Sequence, residues 1–198
     1  MKIQMKIQKI ICFLALFASA FAFIFSLGVS TTVYNLNQTT AFMPGVIADG
    51  YYDAVQQFNH TYVLECIGFI VCAIFLFITQ TNKRRNYYIT NYVATLAFTG
   101  YSLFVALKSL SILEGFKDTF LNETDFEMWK MIHEMIDAVR YTESTFWFDI
   151  NIAALIIILV VSGLLILNLT WKIVLMVNEA KLLKKSEEAK KQLNKEVE

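Results

Sequence analysis

The chain has 198 residues, of which 57% are hydrophobic and 17% charged, and its 17 basic and 17 acidic side chains cancel to a net charge of zero. With a positive mean hydropathy, this composition falls outside the soluble globular range and points to a membrane protein. Little more than half of the residues lie in long apolar stretches, and the remainder is too divided for a second independent domain.

Lys2, Lys6 and Lys9 precede a charge-free run over residues 10–48 that opens on an almost purely apolar stretch. About twenty apolar residues suffice to cross a hydrocarbon core of ~30 Å, so a first span is expected at about 10–29. Ala18-Ser19-Ala20 and Ala20-Phe21-Ala22 have the small-residue form of a signal-peptide cleavage site. Hydrophobicity runs past both to Val29, and the expectation is an uncleaved span. Ala15, Ala18, Ser19, Ala22 and Ser26 recur at helical spacing, and small residues four apart let helix backbones approach closely.

A first outer loop follows at about 30–61, then a second span at about 62–81 interrupted by Glu65 alone. Lys83, Arg84 and Arg85 make a tight turn into a third span at about 87–108, again with small residues (Ala94, Ala97, Gly100, Ser102). The second outer loop, at about 109–146, contains Thr124-Asp125-Phe126-Glu127. This reads as a capping box, with Thr124 as N-cap and Glu127 three positions on. A helix is expected from there to about Arg140, with Phe126, Trp129, Ile132, Ile136 and Val139 on one apolar face. It should lie on the outer membrane surface or cap the mouth of the bundle. The fourth span, at about 148–172, continues without Gly or Pro into a charged tail over 179–198 that should extend the helix.

Lys and Arg resist translocation and stay cytoplasmic. Thirteen of the seventeen basic residues flank the ends of spans on one side, leaving Lys108, Lys117, Lys130 and Arg140 on the other. The expectation is an all-α four-helix transmembrane bundle over residues 1–178, N-in and C-in, with an amphipathic outer-face helix and a cytoplasmic helical tail. In topology alone this layout resembles tetraspanins and claudins. Those families carry paired cysteines in an outer loop, whereas Cys12, Cys66 and Cys72 all fall in spans. Without a loop disulfide, a bacterial plasma membrane is the expected location.

Charges at membrane depth mark the candidate sites. At ~1.5 Å per residue, Lys108 and Asp149 each lie ~35 Å from the basic residues at the opposite ends of their spans, and Glu65 sits about a turn deeper. Lys108 is expected to reach both carboxylates and clamp spans two, three and four together. His133 and Asp137 form an i, i+4 pair with metal-ligand chemistry, but no HExxH and no cysteine accompanies them, so a surface contact is the plainer meaning. In the tail, Leu182, Ala189 and Leu193 follow a weak heptad-like spacing that suits docking to a partner.

No nucleophile or acid–base arrangement stands out. Neither enzymatic activity nor a cofactor nor a nucleic-acid partner is expected. The preferred function is a non-catalytic accessory or scaffold subunit of a larger membrane assembly. It would contact lipid and other membrane subunits, with a homo-oligomer also open to it. The alternative is a small oligomeric channel or transporter built around Glu65, Lys108 and Asp149.

Overall fold

The computed structural model describes residues 2–40, 42–80, 89–136 and 139–196, with side chains described for 3–40, 42–80, 89–136 and 139–188. The described residues are 87% helical and contain no strand. They form α1 (Lys2–Ser26), α2 (Thr31–Thr40), α3 (Tyr51–Gln80), α4 (Ile89–Glu123), α5 (Phe126–Met135) and α6 (Phe146–Glu196). Four helices are long and apolar enough to cross a membrane. Helices suit that role because each satisfies its backbone hydrogen bonds internally, where lipid offers no partner.

α1 and α4 each pack between α3 and α6, so the four long helices close a square with no helix at its centre. The start of α1 and the late part of α6 belong to one end of this bundle. There the start of α1 meets α4 and the late part of α6, with Gln4 bonded to Asn168 and Gln8 to Asn91. At the other end, here the loop end, Asn151 of α6 donates to the Phe25 carbonyl near the finish of α1.

The inward stripe of α1 is Gln4, Gln8, Cys12, Ala15, Ser19, Ala22 and Ser26, all buried and spaced by three or four residues. Its outward face carries Phe13, Phe17 and Ile24, each about 60% exposed, as a lipid-facing surface requires. Hydroxyls on such a helix close on their own backbone. Ser19 donates to the Ala15 carbonyl, Thr95 to Asn91 and Thr99 to Thr95.

Two glycines set how near the helices come. A Cβ on Gly68 of α3 would fall 2.1 Å from the Tyr101 hydroxyl of α4, and one on Gly28 would fall 2.0 Å from the Trp147 ring. Because Gly68 leaves that space, Tyr101 reaches the Glu65 carbonyl and donates to it at 3.0 Å. Gly68→Ala is expected to push Tyr101 out and lower stability by about 1–3 kcal/mol. A thermal melt in nanodiscs checks it, and an unchanged midpoint would show that α3 and α4 tolerate a wider spacing.

The helices outrun the apolar stretches. α3 starts at Tyr51 rather than near residue 62, and α4 runs to Glu123 rather than stopping near 108. Much of the two expected outer loops is therefore helix. The cause is packing beyond the hydrophobic zone: Tyr51 donates to the Phe116 carbonyl at 2.7 Å, and Phe58 meets the Phe116 ring edge-on at 5.6 Å.

α2 and α5 close the loop end, α2 touching both α3 and α5. The Asp125 amide donates to the Val46 carbonyl at 2.8 Å and ties the start of α5 to the α2–α3 connection. That connection turns at Gly45 and Gly50, whose φ angles of +99° and +81° are ones that other residues rarely adopt.

α5 caps the bundle, as one of the two expected placements had it. Trp129 is wholly buried, with its ring against Phe120 and Tyr141 at 6.4 and 5.3 Å, and Phe120 in turn meets Phe148 of α6. Two details differ from the sequence reading. The N-cap is Asp125, whose carboxylate accepts from the Met128 amide at 2.9 Å, and Thr124 lies one residue outside it. The helix ends at Met135 instead of Arg140, because Ile136 is extended.

Candidate functional site

Glu65 sits on α3 and faces α4. Its carboxylate takes the Lys108 ammonium at 2.6 Å and the Ser109 hydroxyl at 3.4 Å. The Glu65 side chain is 16% exposed and that of Lys108 41%, so the acid is the shielded partner and the lysine the one that reaches outward.

The expected three-way clamp is not what forms. Asp149 pairs instead with Lys117, also at 2.6 Å, and its second oxygen accepts from Thr145. Among the described residues these are two separate ion pairs, one joining α3 to α4 and the other α4 to α6. The physical reason lies in the length of α4. Its continuation past residue 108 carries Lys117 two turns further toward the loop end, up to the level of Asp149. Lys108 thus lies level with Glu65 and not with Asp149, so the common height expected for Lys108 and Asp149 does not hold.

The strongest polar cluster lies at the opposite end, among residues that the sequence reading did not single out. Gln4, Gln8, Asn91 and Asn168 are all at least 94% buried. Gln4 donates to Gln8 and to Asn168 at 3.3 and 3.4 Å, and Gln8 donates to the Asn91 Oδ1 at 2.7 Å. Lys172 brings its ammonium to the same Oδ1 at 3.4 Å and lies 4.5 Å from the centre of the Tyr92 ring. A linked set of amides thus joins α1, α4 and α6. Buried polar groups in lipid are costly unless paired, so such a network fixes the register of three helices. The signal was present: Gln4 and Gln8 continue the small-residue stripe of α1 one helical turn at a time toward the N-terminus.

Of the His133–Asp137 pair, the described residues include His133 alone. His133 Nδ1 donates to the Val139 carbonyl, and the ring stacks on Tyr141. Asp137, its expected co-ligand, lies outside the described residues, as do the basic residues 83–85 and the side chains of Ala189 and Leu193. Among the described residues no group of three metal-ligating side chains comes together. Nearby, Tyr141 donates to the Glu143 carboxylate, and this hydrogen bond, which holds the phenol proton, pushes its pKa up to about 12. It therefore remains a protonated donor at neutral pH.

Leu182 and the neighbouring Leu183 lie well beyond the bundle on α6, 67% and 64% exposed. α6 itself is one 51-residue helix without a break. No family model matches the chain, nor does any curated protein or solved structure.

Proposed function

We propose that the protein is a non-catalytic accessory or scaffold subunit of a larger membrane assembly, oriented with both termini in the cytoplasm of a bacterial cell. The observation that carries this reading is the form of α6. A helix that leaves the bundle and keeps Leu182 and Leu183 in solvent has apolar surface that no described residue covers. The distribution of the thirteen basic residues supports the orientation, with the tail on the cytoplasmic side.

A channel or transporter has less support. Among the described residues Glu65 is the one deep carboxylate, and its charge is already met by Lys108. A permeating cation would first have to displace that ammonium. In the middle of the bundle the Ser19 and Thr99 hydroxyls are bonded to their own helices, and those of Ser102 and Ser162 are buried without a charged group beside them among the described residues.

Native purification from the membrane tests the proposal. Other chains in fixed stoichiometry are expected, whereas a pure homo-oligomer that conducts ions in liposomes would favour the channel. Orientation has its own check. Cysteine at Asp53 should react with an impermeant reagent in intact cells, and cysteine at Lys83 only after permeabilisation. Labelling of position 83 in intact cells would reverse the topology.

A further inference from the structure

We propose that Lys172 and Asn91 form a binding site for a phosphate-ester anion, the group that an anionic lipid presents at its headgroup. The site is independent of the docking role of the tail and rests on the geometry at the terminal end of the bundle.

Lys172 is the cation of this site. Its ammonium is held between the Tyr92 ring at 4.5 Å and the Asn91 Oδ1 at 3.4 Å, neither of which carries a charge to neutralise it. The described residues give it no carboxylate. The sequence explains why: Asp and Glu are missing from residues 1–48, 66–113 and 150–178, so α1, the second half of α3, the first half of α4 and α6 between Ile150 and Asn178 are free of acid. The first acidic residue beyond Lys172 is Glu179, about 10 Å further along the helix. With no carboxylate of the described residues beside it, the half-buried Lys172 ammonium is open to an anion from outside the chain.

Asn91 supplies the second contact. Both Gln8 and Lys172 bring donors to its Oδ1, and an ammonium has no acceptor to offer, so the orientation of the amide is fixed. Its Nδ2 group is consequently a donor on the other side. That group is buried in a residue only 4% exposed, and it has no partner among the described residues. An ammonium and an amide donor on adjacent helices, with no competing anion, match the several acceptor oxygens of a phosphate. The depth is also right. Lys172 is 23 residues from Asp149 on one helix, ~35 Å, which is about one hydrocarbon thickness away at the opposite interface.

The test uses the full chain in nanodiscs of phosphatidylcholine, or of phosphatidylcholine and phosphatidylglycerol in equal parts. Bound lipid is counted by native mass spectrometry after release. The intact protein should retain phosphatidylglycerol in preference to phosphatidylcholine. Lys172→Met should cut that preference at least ten-fold, as expected for a charge-assisted hydrogen bond. Lys184→Gln, a control on the exposed tail, should cost no more than about five-fold, the effect of one lysine near an anionic surface. Asn91→Asp is the decisive variant. It keeps an acceptor for Gln8 and Lys172, and so preserves the fold, but it supplies the missing carboxylate and should abolish anion retention. A melt in lipid-free detergent with inorganic phosphate separates the sources. Stabilisation there that Lys172→Met removes assigns the site to free phosphate, and stabilisation by phosphatidylglycerol alone assigns it to lipid. The proposal is overturned if Lys172→Met and Asn91→Asp retain anionic lipid as the intact protein does, or lose no more than Lys184→Gln.

Discussion

Trp129→Ala should destabilise the protein by about 3–5 kcal/mol, the range for emptying a fully buried aromatic position. Trp129 is wholly buried where α5 meets the loop end, and its ring is packed by Phe120, Phe126 and Tyr141. Removing it takes away the main apolar contact of a short helix that stays folded through packing rather than through its own propensity. Trp129→Phe should cost far less. The indole Nε1 has no hydrogen-bond partner among the described residues, so the smaller ring also removes an unpaired donor. Circular-dichroism melts, with proteolysis of the α5–α6 connection as a local probe, measure both variants. A loss under about 1 kcal/mol for Trp129→Ala would mean that α5 does not contribute to the core.

Lys108→Met carries the second large effect. Breaking a buried ion pair on one side costs about 3–5 kcal/mol because the remaining charge is stranded. Lys108 is 41% exposed, so water screens part of that, and about 2 kcal/mol is the expected loss. Glu65→Gln should be milder, under about 1 kcal/mol, since a neutral amide can still accept from Lys108 and Ser109. Equal losses for the two variants in the same melt would contradict this asymmetry. An intact melt for Glu65→Gln with loss of a proton-coupled activity would instead reassign the residue to function.

The four spans were legible in the sequence because hydrophobic length is a one-dimensional property, and a charge-free run such as 150–171 needs no partner to declare itself. The ends of the helices were not. A composition-based boundary stops at the first charge, whereas α4 continues past Lys108 as long as α3 remains beside it. That error propagated directly: once Lys117 was placed in a loop, Lys108 was left as the single candidate partner for Asp149. The cap of α5 shows the opposite case. The motif was found and its register slipped by one, because Thr124 and Asp125 are both competent N-caps and tertiary contact with Val46 decides between them. The amide cluster was missed for a different reason. Gln4 and Gln8 look like part of a basic leader until the stripe of α1 is extended back through them. Asn91 and Asn168 announce nothing alone, since their meaning lies in a meeting of three helices.

The central claim is that the far part of α6 serves assembly and not folding. Truncation after Val177 tests it most directly. The four long helices keep their buried faces and backbone hydrogen bonds, so the shortened chain should insert and melt close to the intact one. Chains that co-purify with the intact protein should be lost or strongly depleted, since Leu182 and Leu183 go with the tail. If every co-purifying chain stays at its original stoichiometry after truncation, the tail is a solvated extension and the docking account is wrong.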